Sequence, residues 1–303
     1  MKISLRNKWL VLSFFAAVIL IVVDVMVIFE THGKSQDIQI LSLDNAVLTN
    51  PVKQIKLMTV NMAHGRGVGI NQIFQSNEPI KDNINNIGQV IARETPHVVA
   101  MQEADSPSWW SGSFSHVETV GKLAGMSSAI PGRNIDGLGL AYGSAILSKL
   151  ESKNARQITF KKNIPTFSKG FVVVTCIWPG QSSFEFDAVS LHLDFARKSV
   201  RENQLSVLRE FVKTSTRPII LMGDFNTDMI GDLLPDFLKD TQLTSWEVDD
   251  SSIITFPFLN SRIDWILVSQ EFRIVEQTVL DDVLSDHKAL TAVIELTNPL
   301  QGQ

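Results

Sequence analysis

The segment Leu221-Met222-Gly223-Asp224-Phe225-Asn226 decides how the rest of the chain is read. Arg217 to Met222 is a short, mostly apolar run that stops at a glycine, and a carboxylate and a carboxamide follow it two residues apart. This pattern predicts a strand that ends in chemistry, because α/β enzymes fix polar side chains at the first positions beyond a rigid strand. In an extended chain residues i and i+2 point the same way, so Asp224 and Asn226 face one ligand together. An Asp carboxylate only accepts hydrogen bonds, whereas the Asn amide also donates, and the pair suits a water and a phosphoryl oxygen held side by side. An ordinary turn after a strand has the same composition, so the remainder of the chain has to arbitrate.

Working upstream, Lys198 to Lys213 has Leu205, Leu208 and Val212 on one helical face. Before it come four runs with β-branched and aromatic content, predicted as strands: Leu140 to Lys149, Ala155 to Phe160, Gly170 to Trp178 and Phe184 to Leu193. Ser115 to Ala124 predicts a helix with Ser115 as N-cap and Gly125 closing it. His97 to Gln102 is a buried strand that ends at Glu103. Pro79 to Thr95 is a helix, with proline at its start, Ile84, Ile87 and Ile91 on one face and Pro96 as its stop. Ile55 to Met62 is a strand carrying Asn61 near its end, and the glycine-rich loop His64-Gly65-Arg66-Gly67-Val68-Gly69 follows. Downstream, a short helix near Gly231 to Leu238 precedes closing strands at Arg262 to Ser269, Phe272 to Leu280 and Ala289 to Leu296. With no internal repeat and no interior linker, one domain of two packed sheets with helices outside is the natural layering.

The composition, 44% hydrophobic and 19% charged over 303 residues, suits a globular protein with a real core. Cys176 is alone, so no intrachain disulfide forms, and within its apolar run it reads as a small buried hydrophobe. The N-terminus differs from the rest. Lys2, Arg6 and Lys8 precede an apolar run of 21 residues, Trp9 to Phe29, whose only charge is Asp24. That length crosses a hydrocarbon core once as a helix. The preceding basic residues, with Glu30 after the run, predict a cytoplasmic N-terminus and a globular part outside the membrane. A cleaved signal peptide and a buried core helix are the alternatives; the run is long for the former, and no small-x-small site follows it. Residues 1–30 are therefore expected to be a cytoplasmic stub and single-pass transmembrane anchor in the inner or plasma membrane. Residues 31–54, polar and without period, are expected to be a tether or loosely packed lead-in. Net charge is −5, and the first 30 residues hold three cations against two anions, so the remainder is more acidic still. That balance counts against a protein that grips nucleic acid mainly through phosphates.

Several predicted strands end in the same useful set of side chains: Asn61, Glu103, His192, Asp224 with Asn226, Asp264, and Asp286 with His287. Each taken singly has a plainer reading as a turn former, loop acid or core histidine. Asp264, between Ile263 and Trp265, is hardest to dismiss, since a carboxylate in an apolar strand is costly unless paired. In this order the set resembles the endonuclease/exonuclease/phosphatase superfamily with the DNase I-like fold. The matching pieces are Thr59-Val60-Asn61, Met101-Gln102-Glu103, Gly143 to Lys149, Leu191-His192-Leu193, Arg201-x-x-Gln204, Gly223-Asp224-Phe225-Asn226, Arg262 to Leu267 and Ser285-Asp286-His287, within residues 55–297.

The resemblance implies a four-layered α/β sandwich, two packed mixed sheets flanked by helices, with its site at one end of the sheets. It implies hydrolysis of a phosphate ester with a divalent metal, Mg²⁺ or alternatively Mn²⁺. By the match, Glu103 is the main metal ligand, with Asn61 and Asp286 close to the ion; oxygen donors are what a hard cation prefers. His287 acts on the phosphoryl group, oriented by Asp264. Asp224 positions or deprotonates the attacking water, Asn226 holds a phosphate oxygen, and His192 contacts the phosphate or helps protonate the leaving oxygen. Such chemistry needs positioning and charge neutralisation more than covalent catalysis.

Ser144 stands where the family often has Asn and is kept as a candidate phosphate contact. The His64–Gly69 loop lies outside the general family pattern; flexible glycines beside Arg66, with His64, suit a phosphate or head group. Asp194 has no evident role. Trp109-Trp110 suits a membrane interface, a binding surface or core packing. The expected partners are a phosphate-ester substrate, lipid head group or nucleic acid, and the membrane, with no obligate protein partner evident. A lipid-directed phosphodiesterase or phosphatase, a DNase I-like nuclease and a non-catalytic binding module on the same fold are the readings carried forward. No matched catalytic position is lost, which argues against the last.

Overall fold

The structure, a computed structural model, describes residues 35–298. The expected transmembrane anchor at Trp9 to Phe29 lies outside these residues. Among the described residues no helix is long and apolar enough to cross a membrane.

Two mixed sheets pack face to face. The first runs β1 (Ser35–Asp37), β8 (Ser152–Thr159), β9 (Gly170–Trp178), β10 (Gln181–His192), β11 (Ile219–Asp224) and β12 (Asp264–Val268). The second runs β13 (Phe272–Val279), β14 (Leu290–Leu296), β3 (Gln54–Asn61), β4 (Val98–Asp105), β7 (Leu140–Ser148), β5 (Ser128–Pro131) and β2 (Leu41–Ser42), with β6 (Ile135–Gly137) paired to β7. Between the sheets lies an apolar core that includes Ile55, Leu57, Val172, Val174, Phe186, Ile220 and Ile266. Helices α1 (Asn77–Glu94) and α2 (His116–Leu123) cover the second sheet through Ile80, Ile84, Ile87, Val117 and Val120. Helices α3 (Lys198–Thr214) and α4 (Leu233–Thr241) cover the first through Leu205, Leu208, Leu234 and Phe237. The result is four layers, helix–sheet–sheet–helix, as the sequence predicts. Each inner strand buries both faces, which explains why these runs are continuously apolar rather than alternating.

Each sheet contains one parallel pair joined through a helix: β3 and β4 through α1, β10 and β11 through α3. In the first pair Asn61 lies opposite Gln102, and in the second His192 lies opposite Asp224. Both pairs end at the same side of the molecule. Beneath that end the sheets are tied by a polar seam: the Gln102 amide donates to Ser190 Oγ at 3.2 Å, and Ser190 Oγ donates to the Met101 carbonyl at 3.1 Å.

The lead-in is more ordered than its composition suggests. Residues 35–54 are no loose tether: β1 closes one edge of the first sheet and β2 one edge of the second, and Leu43 is buried against α2 and β7. A strand of two or three residues is too short to carry a periodic signal, which is why the sequence pattern does not reveal it.

Candidate active site

Asp224 ends β11 because the chain before it cannot carry a side chain. Gly223 has φ +144°, and a Cβ there would lie 2.1 Å from the Leu191 carbonyl oxygen of the neighbouring strand. Only glycine permits that approach. The next residue points its carboxylate, 1% exposed, at the centre of the site. Three side chains converge on Asp224 Oδ2: the Asn61 amide donates at 3.1 Å, His192 Nε2 lies at 3.4 Å and His287 Nε2 at 3.8 Å. The Asn226 backbone N–H donates to Asp224 Oδ1 at 2.9 Å. Behind His287, its Nδ1 donates to Asp264 Oδ2 at 2.9 Å. Asp264 is the buried carboxylate of an apolar strand, and this histidine is the partner that its burial demands.

The electrostatics separate these groups. Burial works against a charge on His287, yet Asp264 and then Asp224 outweigh it and hold its pKa up at about 10. Burial raises Asp224, opposed by His287 and reinforced by Asp264, so its carboxyl stays above the ordinary carboxylate range. His192 is pushed well down by burial and then by the Lys169 ammonium, and is neutral. An imidazolium, a neutral imidazole and a basic carboxylate thus meet around one small volume. That is the separation of acid and base roles a general acid–base site needs.

A second cluster adjoins the first. Glu103 sits where the pairing of β4 with β7 shifts register, with φ +48°, a left-handed conformation that costs a β-region side chain about 1–2 kcal/mol. This turns its carboxylate out of the sheet. Burial disfavours its charge, but the cations around it, Lys169 and Arg66 among them, hold its pKa well below the usual range. The Arg66 guanidinium bridges two carboxylates, donating to Glu103 Oε2 at 3.2 Å and to Asp286 Oδ2 at 2.8 Å, while its Nε donates to the Gly69 carbonyl. Asp286 Oδ1 is buried with no hydrogen-bond partner.

That orphaned oxygen, with Glu103 beside it, fits a divalent ion. Both are hard oxygen donors, and Arg66 already holds a positive charge between them. A second acidic group, Asp224, Asp264 and His287, has ligand atoms all within 4.8 Å of one another. It is a poorer fit for a hard ion, because its Asp264–His287 hydrogen bond would have to break and a nitrogen would enter the set.

Of the residues singled out in the sequence, Asn61, Glu103, His192, Asp224, Asp264, Asp286 and His287 are gathered at one end of the two sheets, together with His64 and Arg66. Asn61 faces Asp224, and its amide oxygen accepts from the Ala63 N–H, so it does not face the Glu103–Asp286 pair. Arg66 engages these carboxylates rather than standing free for a phosphate. Asn226 donates its amide to the Leu193 carbonyl at 3.1 Å. Ser144 is a correction. It is fully buried and its hydroxyl donates to the Gly170 carbonyl, leaving no surface for substrate. The tryptophan pair divides as well: Trp109 is 58% exposed, whereas Trp110 is buried and donates to Asp105.

Three residues take roles that the sequence reading does not assign. Lys169, one residue before β9, puts Nζ 3.2 Å from both ring nitrogens of His192 and 3.6 Å from Glu103. No local sequence signal marks it: only the pairing of Gly170 with His192 brings a side chain just outside Gly170 to the site end. Asp105, fully buried, lies 2.6 Å from His64 Nδ1 and fixes that ring between Trp110 and Tyr142. Asp194 acquires a role. Its Oδ1 accepts the Ala196 and Arg197 N–H groups, each at 2.9 Å, and its Oδ2 accepts from the Thr166 hydroxyl, so it clamps the loop beside His192 to the start of α3.

Comparison with known proteins accords with this geometry. The model of the endonuclease/exonuclease/phosphatase family matches residues 58–287. No curated protein matches the chain. Among solved structures it is similar to a family protein from Leptotrichia buccalis (21% identity, covering 80% of this chain and 100% of that one, TM-score 0.62). It is also similar to a mannosyl-6-phosphatase from Bacteroides thetaiotaomicron (18%, 80% and 100%, 0.60) and to beta toxin from Staphylococcus aureus (19%, 78% and 99%, 0.54). At these identities the likeness carries the fold alone.

Proposed function

Because the chain belongs to the endonuclease/exonuclease/phosphatase family, whose members hydrolyse phosphate esters, we propose that it is a divalent-cation-dependent phosphoesterase acting from the outer side of the cytoplasmic membrane on a phosphate ester of a lipid head group. The observation that carries the hydrolytic reading is the convergence of Asn61, His192 and His287 on Asp224 Oδ2, with Asp264 behind His287. Asp224 takes the proton of the attacking water; its raised pKa makes it a competent acceptor near neutral pH. His287, held protonated by Asp264, donates to a phosphoryl oxygen. His192, neutral and beside the Lys169 ammonium, faces the leaving-group side, and Lys169 supplies positive charge to the phosphate. A divalent ion, when bound at Glu103 and Asp286, would supply Lewis-acid neutralisation of the phosphate charge. The acidic net charge and the apolar run near the N-terminus favour a lipid over a nucleic acid.

Asp224→Ala and His287→Ala are each expected to reduce hydrolysis by about 10²–10⁴ with the fold intact, the range for lost acid–base or electrostatic groups. The assay is a panel of lipid, inositol phosphate, DNA and RNA substrates with the metal present. Activity above about a hundredth of wild type in either variant would sink the assignment. Hydrolysis confined to nucleic acid would replace the substrate class while leaving the chemistry in place.

A further inference from the structure

Large apolar side chains that stay exposed are not scattered evenly over this protein. All but Val47, Leu123 and Val207 of the fifteen found among the described residues lie on the loops at the site end of the sheets. The most prominent are Ile70 and Phe74 in the loop after β3, Phe195 after β10, Ile230 after β11, Phe258 before β12 and Val283 before β14. Each loop also carries or adjoins a site residue: Arg66, His192, Asp224, Asp264 and Asp286. The ring is close to the chemistry as well as to the edge, since Phe256, two residues from Phe258, packs 4.8 Å from the His287 ring. Isolated surface hydrophobes are ordinary, but an apolar rim surrounding a polar site needs a partner.

The path of the chain says which partner. Ser35, the first residue of β1, pairs with Ile158, next to Thr159, which pairs with Gly170; Gly170 in turn lies opposite His192. Strand β1 therefore enters the first sheet from the site end. The apolar run Trp9–Phe29 finishes six residues earlier in the sequence. Six residue steps span about 20 Å even when fully extended, at roughly 3.3–3.6 Å per residue. The far end of the twelve-residue β10 lies roughly 40 Å from the site end, at about 3.3 Å per residue, and is beyond that reach.

We propose that the rim is a docking face for the lipid bilayer that holds the Trp9–Phe29 run, so that the Asp224 site opens directly onto phosphate esters in the lipid plane. Ile70, Phe74, Ile230 and Phe258 enter the acyl boundary, with Trp109 at the head-group level, where an indole is favoured. This rests on the anchored, lipid-directed reading above, and it adds the orientation: the site faces its own membrane rather than the surrounding medium.

The test uses the full chain in lipid nanodiscs. Its one cysteine, Cys176, is buried, so single cysteines placed at Ile230, Phe258 and, as an opposite-end control, Val47 accept nitroxide labels selectively. Docking predicts that labels at Ile230 and Phe258 are relaxed several-fold more by lipid-soluble oxygen than by a water-soluble nickel chelate, with the reverse at Val47. Equal exposure of all three to the nickel reagent overturns the proposal. Shielding of the rim labels from both reagents also overturns it, since that pattern means a protein partner. Phe74→Asp combined with Ile230→Asp should slow hydrolysis of a phosphate ester in the nanodisc at least tenfold. It should leave a small soluble phosphodiester within twofold of wild type; equal losses on both overturn the docking role. Absence of any hydrolysis by the wild type refutes the function while the label measurement still decides the orientation. Extraction of the full chain by alkaline carbonate tests the anchor separately.

Discussion

Arg66 holds the two carboxylates that best fit a divalent ion, so the protein's own cation and the metal compete for one place. An ion binding Glu103 and Asp286 has to displace two charge-assisted hydrogen bonds, at 3.2 and 2.8 Å. Each such bond contributes about 1.5–3 kcal/mol when well buried. Asp286 keeps 38% of its side chain exposed, against 16% for Arg66 and 18% for Glu103, so its bond is discounted to about 1 kcal/mol or less. Together the two bonds make the competition cost about 1.5–4 kcal/mol, a factor of about 10 to 1,000 at 1.36 kcal/mol per decade. Removing the guanidinium by Arg66→Ala should tighten Mn²⁺ binding by that factor. Free Mn²⁺ measured by electron paramagnetic resonance, with no substrate present, reads this directly and independently of turnover. Arg66→Lys keeps a charge but loses the planar fork that spans both carboxylates, and should fall between wild type and Arg66→Ala. In chelator the Arg66→Ala protein should melt below wild type, because Glu103 and Asp286 lose the guanidinium that bridges them, and added Mn²⁺ should restore the difference. An Mn²⁺ affinity unchanged within twofold, or weaker, in Arg66→Ala would refute the competition.

His287 has a folded pKa raised from an ordinary value near 6.5 to about 10, so the native state holds a proton that the unfolded state releases across that window. Its contribution to stability is fully present below about pH 6.5 and is lost as pH rises toward about 10. Wild type in chelator should accordingly lose stability to urea over this range more steeply than His287→Gln, and parallel slopes would contradict the assignment. Lys169→Met should reduce turnover by about 10²–10³, as loss of a charge-stabilising donor does, and should raise the His192 pKa seen by NMR, since the ammonium helps to depress it. A turnover loss with no shift at His192 would mean that Lys169 acts elsewhere. Deleting residues 1–54 removes β1, β2 and the buried Leu43, whose truncation to Ala alone would cost about 2–5 kcal/mol. That fragment should melt well below one beginning at residue 31, and equal melting temperatures would mean that the two edge strands contribute nothing.

The legible part of this protein was the part written in local rules. Asp224 was visible because an apolar run stops at a glycine, and the structure shows why: Leu191 occupies the space of a side chain. Asp264 was visible because a carboxylate inside an apolar strand needs a partner, and His287 is that partner. The helices at Asn77 and His116 were visible from their faces and stops, and Ser115 does cap the second through the Glu118 N–H. What escaped depends on register between distant strands. Lys169 belongs to the site only because Gly170 pairs with His192. Trp110 is buried while Trp109 is exposed because the carboxylate of Asp105 fixes the Trp110 indole N–H within the loop after β4. Ser144 stands where the family often has Asn, which makes it a candidate phosphate contact, but the inner face of β7 packs against the other sheet, where Gly170 takes the hydroxyl.

The entry of the chain along β1 also has a mechanical consequence. Strand β1 lies antiparallel to β8, and its N-terminal end points out of the site end of the sheet. A pull on Ser35 from that side therefore runs along the strand axis, and the Ser35–Asp37 ladder and the Ile38 N–H bond to Ala155 carry load together in shear rather than opening one at a time. A few residues later β2 clips into the opposite sheet through β5, and the Leu43 N–H bonds to the Ser127 carbonyl, so tension that survives the first clip is handed to the second layer. Thermal jostling of a surface that holds the N-terminus would thus be borne by the outer edges of both sheets. The His192–Asp224–Asp264 row, two and more strands inward from β8, would keep its spacing under strain.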